Sequence, residues 1–173
     1  MNQENPTLYY GLASHQEALN QATQVCSVFG HGVNGCAINL LMETASAETQ
    51  LGQYPDTTPS NGFGLNQFDH VGFTDLQKRT RQQDKLLLSN IWGYNLDALF
   101  ALDLADDPVL SMICCRLKYK LRPEIIPATL PARAKYWKRF YNTELGKGTE
   151  EHYTESANRL LYAPGAVMSG KWS

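Results

Sequence analysis

Three carboxylates, Glu48, Asp56 and Asp69, border a stretch with no regular apolar period that carries the turn Gly62-Phe63-Gly64. It follows the most apolar helical pattern in the chain, predicted from about Asn34 to about Glu48. With Ile38 as reference and ~100° per residue, Asn34, Leu41, Met42, Ala45 and Thr49 cluster within about 60°, which marks the buried face. Glu43 falls about 140° away, on the side opposite the core, and reads as a supporting carboxylate or a solvated one. Glu48 falls about 80° away, at the edge of the buried arc and at the helix C-terminus. Partial burial and the negative end of the helix dipole both oppose ionisation, so the Glu48 pKa is expected to rise. A carboxylic acid that keeps its proton near neutral pH can serve as a general acid.

The elements that must position this acid read as a string of helices. Ser14-His15-Gln16-Glu17 is a capping box, followed by Ala18, Ala22, Val25, Cys26 and Phe29 at helical spacing. Thr74-Asp75-Leu76-Gln77 reads as a second capping box, opening a polar helix toward Leu88. Asn95 to Leu104 reads as a short helix. Asp107-Pro108 is an N-cap with proline at the first helical position, starting a helix toward Leu121. Pro131 opens another through Tyr141, and Thr149-Glu150-Glu151 opens the last. Strand signals are weak and best near Gly64 to Phe68. The pattern predicts a mainly α chain with a small β/loop element: residues 1–12 an N-terminal extension, 13–163 one domain, and 164–173 a flexible tail.

Composition bounds the partners. The 173 residues fit one domain, and 43 % apolar content supports a packed core. A formal charge of −2 argues against a general nucleic-acid binder. No stretch approaches the ~20 apolar residues that span a bilayer, and no export signal is read at the N-terminus. Cys26, Cys36, Cys114 and Cys115 lack metal-ligand spacing and read as reduced core residues, with a Cys26–Cys36 bridge as the alternative. No metal, nucleotide or other cofactor motif appears. Ser111 to Phe140 holds eight Lys or Arg against Glu124 alone. The bases Arg116, Lys118, Lys120, Arg133, Lys135, Lys138 and Arg139 read as solvated helix faces, or as a patch for anionic polymers. Leu130, Ala134, Trp137 and Tyr141 share one helical stripe, which reads as core.

Glu48-Thr49-Gln50-Leu51-Gly52, followed by Asn61-Gly62-Phe63-Gly64-Leu65-Asn66-Gln67-Phe68-Asp69, resembles the active-site region of goose-type lysozymes. Those carry Glu-Ser-x-x-Gly after a core helix and then Asn-Gly-Phe-Gly-Leu-Met-Gln-x-Asp. Soluble lytic transglycosylases are similar, and Phe140-Tyr141-Asn142-Thr143-Glu144-Leu145-Gly146 resembles their Ala-Tyr-Asn-Ala-Gly segment. Here Thr49 stands for Ser and Asn66 for Met. The short chain also resembles lysozyme-like proteins of bacteriophages.

The resemblance implies an α+β lysozyme-like fold and cleavage of the β-1,4 bond between N-acetylmuramic acid and N-acetylglucosamine in peptidoglycan. Glu48 would protonate the departing oxygen. A hydrolase would need Asp69 or Asp56 to activate water, with carboxylates roughly 6.5–9.5 Å apart for inversion. A transglycosylase would use the substrate's own 6-hydroxyl, with Glu48 as acid and then base. Thr49, Gly62, Phe63, Gly64, Leu65, Gln67, Tyr141 and Asn142 are the implied substrate contacts, although the glycines alone also fit an ordinary hairpin turn. Without an export signal the protein would reach the wall by release through a membrane pore at lysis or as a virion component. Its implied partners are glycan strands and phage tail or other virion proteins, with no nucleic acid and no membrane insertion. The rival readings are a non-catalytic lysozyme-like structural or adaptor protein of a phage particle, and a chitin-active enzyme.

Overall fold

The computed structural model describes residues 6–56, 61–142 and 146–170. It is mainly helical, with about 60 % helix and seven α-helices among the described residues. They are α1 His15–Phe29, α2 Ala37–Thr49, α3 His70–Arg79, α4 Gln82–Trp92, α5 Pro108–Lys120, α6 Leu130–Trp137 and α7 Glu150–Ala157. Two 3-10 turns, Leu96–Ala98 and Ala101–Leu104, replace the single short helix expected over 95–104. The ends of α6 and α7 relax into π-helical turns, Lys138–Asn142 and Asn158–Tyr162. The expected β element reduces to one isolated antiparallel bridge, in which Phe63 and Phe68 exchange both backbone hydrogen bonds at 2.9 and 3.0 Å.

Capping chemistry starts several helices where the residue types demand it. The Glu17 N–H donates to Ser14 Oγ at 3.0 Å, while the Glu17 carboxylate reaches back one residue further than expected and accepts from the Ala13 N–H. Asp107 accepts from the Leu110 N–H and Thr149 from the His152 N–H. The Thr74 box is superseded. Asp69 already caps α3, accepting from the Gly72 N–H at 2.6 Å, so Thr74 lies inside the helix and donates to His70 O. Gln77 then spends its amide on Leu96 O and Leu99 O, both at 2.9 Å, and the chain breaks at Thr80 before α4.

Helix α2 is the central element, packed against α1, α5 and α7. Every residue of it except Glu48 is buried. This overturns the expected solvent side and with it the placement of Glu43, which has no exposed surface. Arg133 meets that carboxylate with two N–H donors, Nε to Oε1 at 2.6 Å and Nη2 to Oε2 at 2.8 Å. Tyr153 and Tyr162 donate their hydroxyls to the same two oxygens. A wheel assigns a polar residue to water; here four donors replace the water, which makes burial of the charge tolerable.

Other bases expected on solvated faces are also spent internally. Arg116 Nε donates to Gly30 O at the end of α1, and Lys120 pairs with Asp84 at 2.9 Å. Lys118 lies 4.4 Å from the Tyr141 ring centroid and 5.2 Å from that of Phe68. All four cysteines are free thiols, three of them buried. Both ends of the described chain are docked. Tyr10 and Leu12 join the core, and the Tyr9 N–H donates to Gly52 O. Residues 164–170, expected to be a tail, turn back so that Met168 is fully buried and its N–H donates to Leu161 O. Among the described residues no helix is long and apolar enough to cross a membrane.

Candidate active site

The last turn of α2 is held by the residues that follow Glu48. Gln50, Leu51 and Gly52 all take left-handed backbone conformations, φ 52°, 53° and 84°. The Leu51 N–H reaches back to Ala45 O, closing the helix with a wide turn. Thr49 fastens this turn to the Gly-Phe-Gly loop: its hydroxyl donates to Leu65 O at 2.8 Å and accepts from the Gly52 N–H at 3.1 Å. Gln50 is anchored on Ser46 O, Ser156 Oγ and Arg159. The backbone around Glu48 is therefore fixed on both sides.

Glu48 itself is half-buried and opens into a cleft of about 520 Å³. The cleft is lined by Ala47 and Glu48 of α2, Trp137 at the end of α6 and Asn142 beyond it, and Lys147, Gly148, Thr149 and His152 at the start of α7. The Trp137 indole N–H donates to Glu48 Oε1 at 3.1 Å. Burial pushes the Glu48 carboxyl up to about 7, against the opposing pull of the Trp137 hydrogen bond and the Lys118 ammonium. Near neutrality the group is thus divided between a proton donor and a carboxylate, the condition acid–base chemistry requires.

The walls are close-packed. A Cβ on Gly148 would stand 2.4 Å from the Trp137 ring, so the glycine lets the loop lie flat against the indole. Trp137 also packs on Tyr153, with ring centroids 5.1 Å apart. Lys138 Nζ donates to Asn142 Oδ1 and to Gly146 O, both at 2.8 Å, tying the end of the π-helical turn to the loop before α7. His152 Nε2 is 2.8 Å from Ala47 O.

Of the carboxylates singled out by the sequence, Glu48 alone lines this cleft. Asp69 is exposed and engaged as the α3 cap; Lys118 lies within electrostatic reach of it and of Glu48. Asp56 is exposed and acts on Tyr10, whose phenol is raised to about 12 by burial first and by this charge second. Thr49, Gly62, Phe63, Gly64 and Leu65 are buried and form packing beside the acid, not cleft lining. Gly64, at φ 77°, has no room for a Cβ: Leu104 O and Ser111 Oγ would each lie 2.4 Å away. Gln67, also left-handed, donates to Gly64 O at 3.0 Å. Tyr141 is buried, stacks on Tyr119 and donates its hydroxyl to Asn66 O at 2.6 Å. Asn142 joins Glu48 in the cleft; Thr143, Glu144 and Leu145 of the same motif lie outside the described residues.

Sequence reasoning missed Trp137 as the donor to Glu48, and it missed Lys118, Lys147, Thr149 and His152. One signal was available for Trp137: a tryptophan on a core stripe still needs an acceptor for its N–H. Among the described residues no group of three or more His, Cys, Asp or Glu could hold a metal ion. No protein-family model, curated protein or solved structure matches the chain.

Proposed function

We propose that this protein is a lysozyme-like peptidoglycan glycosidase that cleaves the β-1,4 bond between N-acetylmuramic acid and N-acetylglucosamine, with Glu48 as its single general acid. The observation that carries the reading is that Glu48, the one residue of the central helix α2 that is not buried, lines a cleft, with its proton held up to about 7. The motif that follows it, Gly62 to Asp69, supports the same assignment through its resemblance to goose-type lysozymes and lytic transglycosylases. The setting that resemblance suggests is phage lysis or virion-associated entry.

The transglycosylase form is favoured by one feature. Among the described lining residues Glu48 is the sole carboxylate, and Asp69 is occupied as a helix cap. In this form Glu48 gives its proton to the glycosidic oxygen as the bond from C1 breaks. The 6-hydroxyl of the same muramic acid then attacks C1, and its proton passes to the Glu48 carboxylate. No water is consumed, and the acid is regenerated. Trp137 acts as a positioning residue: its N–H holds one carboxyl oxygen and steadies the charge that appears after the first transfer.

The test is digestion of purified peptidoglycan followed by mass spectrometry of the released fragments. The expected products carry 1,6-anhydro ends, and Glu48→Gln abolishes their release. Reducing ends would replace transglycosylation by hydrolysis. Absence of cleavage by the wild type across about pH 4–8 would refute the enzyme and leave the adaptor reading.

A further inference from the structure

The lobe made by α4 and the two 3-10 turns carries a surface that the glycosidase reading leaves unused. Leu88 and Leu96 are buried, and Trp92 stacks on Phe29 with ring centroids 5.9 Å apart, so the lobe is anchored on α1 and the core. Gly93 ends α4 at φ 76°, and the ion pair of Lys85 with Asp97 at 2.8 Å folds the following chain back along the helix. Gln77 of α3 holds Leu96 O and Leu99 O. On this fixed frame Leu86, Leu87, Ile91, Phe100 and Leu102 stand outward, each 38–73 % exposed. Five of the ten large apolar side chains exposed among the described residues thus fall within 86–102, a concentration that scattered surface residues do not produce. Charge is spent on the same stretch. Over 82–102 the charged residues are Asp84, Lys85 and Asp97; Lys85 pairs with Asp97, and Asp84, itself buried, pairs with Lys120 and Arg81. At the border, Asp103 accepts from the Phe100 N–H at 2.7 Å. The other exposed positions of α4 are Gln82, Gln83, Ser89 and Asn90, all uncharged.

We infer that this lobe is the contact surface between two copies of the chain, which pair face to face about a two-fold axis. Large apolar side chains with charge depleted around them are the composition of an interface core. A face whose charges are already paired gives no hold to a strongly basic or acidic partner, and it meets its own copy without like-charge repulsion. The area is sufficient. The five side chains leave on the order of 500 Å² of apolar surface on each copy, in the upper range for one patch on a soluble monomer. Two copies together remove about 1,000 Å² from water, the lower limit for a specific interface before any polar rim is counted. None of the described residues that line the Glu48 cleft belongs to this lobe, so the pairing stands apart from the glycosidase reading.

The experiment is sedimentation equilibrium of the full chain from about 1 to about 200 µM, a range that resolves weak and moderate self-association. The expected result is a reversible monomer–dimer equilibrium that about 0.5 M sodium chloride leaves in place, because apolar contact and not charge carries it. Leu86→Glu combined with Phe100→Glu, both at exposed positions, raises the dimer dissociation constant at least about tenfold by setting unpaired charges in the contact. Mixing that protein with one carrying Leu86→Lys and Phe100→Lys restores pairing, which shows that both remain folded and that the two faces meet. Val33→Glu, exposed but outside the lobe, leaves the dimer unchanged. A monomer at every concentration overturns the second copy and gives the face to a different partner. A dimer that survives the two glutamates, or one that the glutamate and lysine proteins fail to rebuild together, also overturns the inference.

Discussion

Replacing Glu48 by glutamine makes the protein more stable at alkaline pH, by an amount the structure sets. The folded carboxyl titrates at about 7 against an ordinary value of 4.5. Below about pH 4.5 the group is protonated in both the folded and the unfolded chain, and its contribution to stability is fully present. As pH rises the unfolded chain releases its proton first, so unfolding is favoured until the folded group also ionises near pH 7. At ~1.4 kcal/mol per pH unit across that window, the wild type loses up to about 3 kcal/mol. Partial exposure of Glu48 to the cleft lets water screen some of this, so the figure is an upper bound. Glutamine cannot ionise, still offers an oxygen to the Trp137 N–H, and matches the protonated acid in shape. The two proteins should therefore be nearly equal at pH 4.5 and diverge by pH 8, with the variant melting up to roughly 6–12 °C higher for a chain of this size. Urea denaturation at half-unit intervals of pH, read as the difference between the two proteins, cancels every other titrating group. A difference that stays flat from pH 4.5 to 8 would refute the claim that burial holds the proton on Glu48. On the proposed function the divergence is a cost of activity, because the group that destabilises the fold is the one the proposed chemistry needs.

Trp137→Phe removes the donor that favours the ionised acid, so the Glu48 pKa rises further, by about one unit or more for a hydrogen bond to a charge. Isotope-edited infrared titration of the carboxyl reads the shift directly, and the alkaline limb of the pH–rate profile should move upward with it. Arg133→Met strands the Glu43 carboxylate in the core and should cost about 3–5 kcal/mol. Replacing both partners with apolar residues should recover much of that loss in chemical denaturation. Gly64→Ala should destabilise by roughly 2–5 kcal/mol, combining a left-handed backbone with a Cβ driven into Leu104 O and Ser111 Oγ. An unchanged denaturation midpoint for Gly64→Ala would contradict the packing assigned to that loop.

Much of the helical framework was legible in local chemistry. Ser14 with Glu17, Asp107 with Pro108, and Thr149 each start a helix because a cap needs only a side-chain oxygen and a backbone N–H within three residues. The position of Glu48 at the rim of α2 followed from the helical period, which is also local, and an expectation of partial burial gave the upward direction of its pKa. What failed locally was decided by distance. The Thr74 box lost to Asp69, which already caps α3, leaving Gln77 to find acceptors about twenty residues away, at Leu96 and Leu99. Glu43 was placed in water because a wheel assumes that every helix has a wet side, and only the packing of α1, α5 and α7 around α2 removes it. Arg133 then supplies the missing solvation from 90 positions along the chain. Trp137 reaches Glu48 from 89 positions away, and Lys147 and His152 complete a cleft that no spacing in the sequence announces. Periodicity and capping are properties of a few consecutive residues, so the chain carries them in plain view. A proton's affinity, a buried charge's partner and the lining of a cleft belong to groups that only folding brings together.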